Sequence, residues 1–194
     1  MSTTTLPVAQ AAAITGSAFL AGGILSLSVL SIPTLAIPAK STTKLTPGTP
    51  IPHLTHQWLY LYGIGSSIAP KLALVCSTTF AYLGYTARST GTTGASALLR
   101  SRPASTTSNL YYLAAVFTIG IAPFTLGVMW PTNTKLKEFA EREPVAEGTY
   151  IDEKVEKQEV EEVQGLLNKW TNLNIVRGIL PLVGAAVGAA AALV

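Results

Sequence analysis

The chain has 194 residues, of which 48% are hydrophobic and only 12% are charged, against roughly 25% charged residues in an ordinary soluble domain. All ten acidic residues lie between Glu138 and Glu162, where three basic residues leave a net charge of −7, so the other 169 residues carry +10 and no carboxylate side chain. This distribution excludes carboxylate-bridged metal sites and two-carboxylate chemistry in the apolar part of the chain. The basic residues are scattered singly, so nucleic-acid binding is not expected.

Four apolar stretches are long enough to cross a bilayer, which takes about 20 residues. They cover residues 9–32, 58–85, 110–130 and 173–194, and only Lys71 and Arg177 interrupt them with a charge. Because backbone groups in lipid must be satisfied internally, each stretch is predicted to be a helix. The predicted fold is all-α: a four-helix transmembrane bundle forming one integral membrane domain over residues 1–194. An amphipathic extramembrane helix is expected before the last span, within the acidic segment 134–172.

Prolines and glycines suggest how these helices bend and pack. Each span contains or borders one proline that is expected to kink it and open a cavity: Pro33, Pro70, Pro123 and Pro181. Small residues at GxxxG spacing predict close helix approach at Gly184 and Gly188 and, more loosely, at Gly16, Gly22 and Gly23. The single cysteine, Cys76, is expected to be a small buried hydrophobic residue.

The segments between the spans differ in character. Residues 35–57 and 86–108 are rich in Pro, Ser, Thr and Gly, and both are predicted to be irregular. His53 and His56 lie in the first segment, after two prolines and with no Cys, Asp or Glu nearby, so no metal site is predicted and His56 is a candidate base.

The third segment has helical character. Thr149 and Asp152 are candidate helix starters, and apolar positions recur at helical spacing from Val160 to Trp170. This pattern predicts an amphipathic helix that runs into the fourth span. Its Glu-rich face is either a solvated surface or a docking site for a basic partner.

Lys71 and Arg177 are the two charges within the predicted spans. A cation at membrane depth is costly and therefore a candidate functional group. For Lys71 the alternative is a helix that begins at Pro70, with the lysine reaching the interface. Arg177 shares a helix face with Asn174 and is suited to stabilise an oxyanion or enolate in a site of low dielectric; the alternative is pairing with lipid headgroups or with the glutamates of the third segment.

Four groups of residues, one in each span, together resemble the fungal anthrone oxygenase family of small four-helix membrane proteins. In the first and second spans they are residues 22–33 and the set Gln57, Trp58, Tyr62, Gly65 and Pro70. In the third span they are residues 123–125 with Met129, Pro131, Thr132 and Asn133, and in the fourth they are residues 170–177 with 180–182 and Gly184. Their order and spacing cover nearly the whole chain.

The resemblance implies an enzyme that oxidises the ring methylene of a polyketide anthrone to the anthraquinone carbonyl in secondary metabolism, in a membrane that we expect to be an endomembrane. A positioned base and a cation near the oxyanion would suffice, with molecular oxygen as co-substrate and no cofactor or metal. The implied site residues are Arg177 and Asn174 for the substrate oxygen, Lys71, Tyr62 or His56 for the proton, and Trp170 and Trp58 for an aromatic pocket. Ser66 and Asn174 depart from the family pattern, which often has histidines there.

The expected partners are the lipid bilayer and a hydrophobic aromatic polyketide, and a homo-oligomer is left open. Two other functions fit the same residues. A tetraspan scaffold or accessory protein of a biosynthetic membrane complex would use the Glu-rich helix as its functional surface. A small transporter would need polar groups along a path, for which the spans offer Lys71 and Arg177.

Overall fold

The computed structural model describes residues 5–35, 51–90, 104–142 and 153–193, and nearly all of these residues are helical. We number the long helices in chain order. Helix α1 comprises Thr5–Ser26, a π turn at Leu27–Ser31 and a last turn at Ile32–Leu35. Helix α2 is Ile51–Thr90 and α4 is Glu153–Ala192. Helix α3, residues 104–141, joins Ala104–Ile119, Ile121–Phe124, a π turn at Thr125–Met129 and Trp130–Glu141. The predicted helix starters Thr149 and Asp152 lie outside the described residues.

The four helices form a ring in which each helix packs on its neighbours in sequence and α4 closes onto α1. All four are long and apolar enough to cross a membrane. The predicted all-α four-helix bundle is therefore confirmed, and the chain is a multi-pass membrane protein. The helices extend beyond the predicted spans, whose exact boundaries stay predictions.

Two π turns change the geometry of the bundle near one end of the spans. In α1, the backbone N–H of Ile32 donates to the carbonyl oxygen of Leu27, five residues back, which is the π pattern. Pro33 follows directly, and the π turn of α3 lies between Pro123 and Pro131. Since proline has no N–H to donate, the helix near it cannot keep a complete set of α-type hydrogen bonds.

The start of α2 corrects two expectations. Residues 51–57 are helical, so the prediction of an irregular backbone at His53 and His56 was wrong. Pro52 is tolerated because backbone N–H groups in the first turn of a helix have no acceptor within the helix, so a residue without an N–H loses no hydrogen bond there. The alternative of a helix beginning at Pro70 was also wrong, because Pro70 lies inside α2.

The glycines divide into two groups. Gly184 and Gly188 pack as predicted: a Cβ atom would lie 2.4 Å from the Thr118 Oγ1 at the first position and 2.4 Å from the Phe80 ring at the second. Gly16 is equally tight against Cys76, which is buried as predicted. The expectation for Gly22 and Gly23 was wrong, because a Cβ atom at either position would meet nothing within 4 Å.

Hydroxyl groups link the helices between these glycines. The Ser17 hydroxyl donates to the carbonyl oxygen of Pro181 at 2.8 Å and lies 3.0 Å from the Thr118 hydroxyl. Ser77 donates to the Ala115 carbonyl at 2.9 Å. Interhelical hydrogen bonds of this kind stabilise helix association where lipid offers no hydrophobic driving force.

Helix α4 contains both the segment predicted before the last span and the span itself, as one continuous helix. In its first part Val163 and Leu167 are buried, whereas Glu161 and Glu162 are exposed. Arg142 at the end of α3 forms a salt bridge with Glu159 at 3.0 Å. The location of this part outside the membrane stays a prediction.

Candidate active site

Arg177 and Asn174 lie together in the middle of the bundle. Arg177 is 6% exposed and Asn174 is fully buried, and the Arg177 Nη1 donates to the Asn174 Oδ1 at 3.2 Å. The Asn174 amide donates in turn to the carbonyl oxygen of Ile24 at 3.0 Å and to the hydroxyl of Ser28, in the π turn of α1, at 2.9 Å. The predicted pair is thus one hydrogen-bonded unit that ties α4 to α1.

A slot lies between α1 and α2, in front of this pair. Its volume is about 210 Å³. Every lining residue but one is apolar, and the exception is Arg177. The lining from α1 is Phe19, Leu20, Gly23, Ile24 and Leu27, and that from α2 is Leu61, Ile64, Gly65, Ile68, Ala69 and Leu72.

Arg177 therefore supplies the charge of an otherwise apolar slot. Its Nη1 is engaged by Asn174, whereas its buried Nε makes no hydrogen bond. A buried donor without a partner is costly to stability. In such a low-dielectric setting a fixed cation interacts with an anion far more strongly than it does in water. The slot is thus suited to a flat apolar molecule with one oxygen that carries or develops negative charge.

The two predicted substrate-binding tryptophans pack on each other beside the slot. Trp58 and Trp170 are 0% and 2% exposed, with ring centroids 6.0 Å apart in an edge-on arrangement. The Trp170 indole N–H donates to the Asn133 Oδ1 at 3.0 Å. Tyr62 stacks on Trp58 with centroids 5.1 Å apart. None of these aromatic residues lines the slot, so their contact with a substrate stays a prediction.

The three candidate bases are not at the slot. Lys71 and His56 are exposed on α2, and neither is among the lining residues. Tyr62 is half-buried and follows the lining residue Leu61, with the Lys137 ammonium 4.9 Å from its ring centroid. The structure thus brings together the predicted Arg177 and Asn174. It also places Tyr62 close enough to Arg177 for an electrostatic interaction, whereas Lys71 and His56 are exposed.

Sequence reasoning missed several lining residues, notably Gly23, Gly65 and Phe19. Apolar residues give no sign in a sequence of which helix pair encloses a cavity. The glycines did carry a signal, since each one inside a helix costs about 0.5–1 kcal/mol relative to alanine. For Gly23 that signal was interpreted as helix packing, whereas Gly65 entered only through the family resemblance. Of the two departures from the family pattern, Ser66 is exposed beside Gly65, whereas Asn174 is the buried partner of Arg177.

Comparisons with known proteins point to one protein family. The sequence model of the family described as anthrone oxygenase matches residues 58–187. The chain is 34% identical to the anthrone oxygenase tpcL of Aspergillus fumigatus, over 93% of this chain and 91% of the relative. It is 32% identical to the anthrone oxygenase AgnL2 of Paecilomyces divaricatus, over 97% and 95%. It is 29% identical to the noranthrone monooxygenase of Aspergillus flavus, over 91% and 69%. No solved structure matches the chain.

Proposed function

Because this chain belongs to the anthrone oxygenase family, we propose that it oxidises the ring methylene of a polyketide anthrone to a carbonyl, in the slot beside Arg177. The observation that carries this placement is the buried guanidinium of Arg177, the one charged group among the residues that line an apolar slot. The relatives bear the names of oxygenases and a monooxygenase, which favours the enzyme over the scaffold and transporter alternatives.

The overall reaction converts one anthrone and one O₂ to one anthraquinone and one water. A base first removes a methylene proton, and the ketone becomes an enolate oxygen. The electron-rich ring carbon then reduces O₂ and forms a carbon–oxygen bond, which gives a peroxide. Protonation of the peroxide and loss of the second methylene hydrogen release water as the oxygen–oxygen bond breaks, and the carbonyl remains.

Arg177 acts on the first step. The enolate oxygen bears the negative charge that forms when the proton leaves, and the guanidinium of Arg177, which lines the slot, is a donor for it. A donor already fixed in place stabilises charge without reorganisation at the moment of reaction. Asn174 fixes the guanidinium through its Oδ1 and is itself fixed by Ile24 and Ser28. Trp58 and Trp170 support the same region as an aromatic cluster.

The proton acceptor is proposed to be one of Tyr62, Lys71 and His56. Tyr62 is half-buried and follows the lining residue Leu61, whereas Lys71, which precedes the lining residue Leu72, and His56 are exposed. Substitutions of each by a residue that cannot accept a proton, namely Tyr62→Phe, Lys71→Leu and His56→Leu, assign the role. The variant that loses turnover while retaining its thermal midpoint identifies the base, and retention by all three removes these residues from the mechanism.

The main experiment replaces Arg177. We expect Arg177→Leu to lower kcat about 100-fold or more, the usual loss of a donor to a developing oxyanion, and Arg177→Lys to retain part of it. Anthraquinone formation is measured in membranes and corrected for spontaneous oxidation. Lys169→Leu is the matched control because it removes an exposed cation from the same helix. Unchanged turnover in Arg177→Leu would remove Arg177 from the site.

The proposal includes no cofactor, with O₂ as co-substrate, because the anthrolate can itself reduce oxygen. Turnover of the purified protein is expected to be the same with and without a metal chelator, and loss with the chelator would overturn this part. The membrane is proposed to be an endomembrane, which fractionation of tagged protein tests. A homo-oligomer is neither required nor excluded by the slot, which one chain forms by itself.

A further inference from the structure

The slot is open toward the lipid along the outer faces of α1 and α2. Phe19 is 75% exposed, Ile68 56% and Ile64 44%, and all three are lining residues. The floor behind them is formed by Leu20, Ile24 and Ala69, which belong to a buried cluster. The slot thus has an apolar floor, an apolar rim and a mouth on the side where the bilayer lies.

Its dimensions and the place of its charge suit a fused-ring molecule. On α2 the lining runs from Leu61 to Leu72, about 16 Å at 1.5 Å per residue, which accommodates three fused six-membered rings in a row. Asn174 bonds both the Ile24 carbonyl and the Ser28 hydroxyl, so Arg177 lies toward the Leu27 end of the α1 lining. A ring oxygen would face the guanidinium there while the remaining rings extend along the slot.

Two glycines of the lining are not explained by helix packing. A Cβ atom at Gly23 would meet nothing within 4 Å, and one at Gly65 would be in ordinary contact with Leu27 at 3.7 Å. Gly23 thus leaves open a space that a side chain would occupy, at the usual cost of glycine in a helix. Gly22 has equally open surroundings but does not line the slot.

We propose that a planar polycyclic substrate enters this slot sideways from the bilayer and that Gly23 sets the size of the ring substituents the enzyme accepts. The inference rests on the proposed function, because it assigns the same slot to the anthrone. A side chain at position 23 projects into the space beside the rings and excludes substituents there, while a bare tricyclic skeleton still reaches Arg177.

The test compares Gly23→Leu with Gly22→Leu on two substrates, unsubstituted anthrone and an anthrone with hydroxyl and methyl groups on its outer rings. For Gly23→Leu we expect kcat/KM to fall tenfold or more on the substituted anthrone, about 1.4 kcal/mol, and much less on the unsubstituted one. Gly23→Ala should give an intermediate ratio. Gly22→Leu adds the same side chain toward lipid and should leave the ratio as in the wild type.

The outcomes separate the two proposals. A wild-type protein that oxidises neither anthrone overturns the proposed function. If the wild type is active and Gly23→Leu has the same ratio of kcat/KM for the two anthrones, the role of Gly23 is overturned. The same holds if Gly22→Leu shifts this ratio as much as Gly23→Leu does. Thermal midpoints of all variants in detergent show whether they fold. If Gly23→Leu does not fold, the comparison of Gly23→Ala with the wild type decides the test.

Discussion

At the scale of single residues, the site depends on how Asn174 is used. One amide group bonds the guanidinium with its oxygen and the α1 backbone and Ser28 with its nitrogen. A buried arginine without such contacts would gain from turning toward the headgroups. The asparagine thus holds a cation within the bundle, at the depth where it can serve a membrane-dissolved substrate.

Asn174→Ala tests this role. It removes the acceptor of Arg177 and the donor to Ile24 and Ser28, so we expect lower stability by about 1–3 kcal/mol and a lower kcat. Denaturation in detergent and turnover in membranes measure the two effects. The loss of kcat should be smaller than in Arg177→Leu, because the cation is still present, and an unaltered kcat would contradict the positioning of Arg177 by Asn174.

Trp170→Phe tests the hydrogen bond to Asn133. The phenylalanine keeps much of the packing on Trp58 but leaves the Asn133 Oδ1 without the indole N–H. We expect the free energy of unfolding to fall by about 1–3 kcal/mol, measured by denaturation in detergent. Trp130→Phe is the control, since Trp130 is 60% exposed. Equal stability of the two variants would contradict the contribution of this bond.

Residue-level reasoning from the sequence found Arg177 and Asn174 for a physical reason. A charge within an apolar span is rare, and a polar residue three positions earlier shares its helix face. Lys71 had the same rarity, yet it lies on the exposed face of α2. A single charge in an apolar helix does not reveal which way it points, because exposed residues of α2 such as Leu74 and Val75 are as apolar as the buried ones.

At the scale of elements, close packing and open space are both made with glycine. Gly184 and Gly188 sit where other helices leave no room for a Cβ atom, and the GxxxG spacing predicted this. Gly22 and Gly23 read alike in the sequence but face open surroundings. The difference lies in which helix comes near, and a sequence pattern on one helix does not contain that information.

Gly184→Ala is expected to destabilise the bundle. Its Cβ atom would lie 2.4 Å from the Thr118 Oγ1 and 3.0 Å from the backbone oxygen of Ala114, so α3 and α4 must separate at a cost of about 1–3 kcal/mol. The control Gly22→Ala should stabilise α1 by about 0.5–1 kcal/mol, because alanine is the better helix residue. We expect the thermal midpoint to fall in Gly184→Ala and to rise in Gly22→Ala. An unchanged midpoint in Gly184→Ala would show that α3 and α4 separate without cost.

The helix starts and the π turns mark the limit of element prediction. His53 and His56 follow Pro50 and Pro52, and prolines are compatible both with an irregular segment and with the first turn of a helix, so the early start of α2 was missed. The π turns lie beside Pro33, Pro123 and Pro131. A proline alone does not specify a π turn, since Pro70 and Pro181 lie within continuous α-helices.

At the scale of the whole molecule, the ring of four helices was predictable because apolar length and backbone satisfaction in lipid leave few alternatives. The slot was not. It lies between α1 and α2, and the residues on its walls are as apolar as those facing lipid. Composition cannot separate a lipid-facing residue from one that faces a cavity.

A mouth on the lipid side predicts that turnover follows the concentration of anthrone in the membrane. Adding protein-free vesicles at constant total protein and total anthrone dilutes the substrate within the bilayer, so we expect the initial rate to fall as the lipid concentration rises under subsaturating conditions. Anthraquinone formation is followed at several lipid concentrations, with spontaneous oxidation subtracted. A rate independent of added lipid would indicate supply from water instead.

The π turns at Leu27–Ser31 and Thr125–Met129 have a consequence for how this chain can change over time. A π turn holds one residue more than the α-helical path between the same two flanking turns. Losing one residue there would restore ordinary helix and leave the flanking segments, with Ile24 on one side and Ile32 on the other, facing as they do now. The same deletion within the regular turns of α2 would rotate everything beyond it by about 100°. Single-residue differences in length among functional descendants of this sequence should therefore concentrate at these two turns.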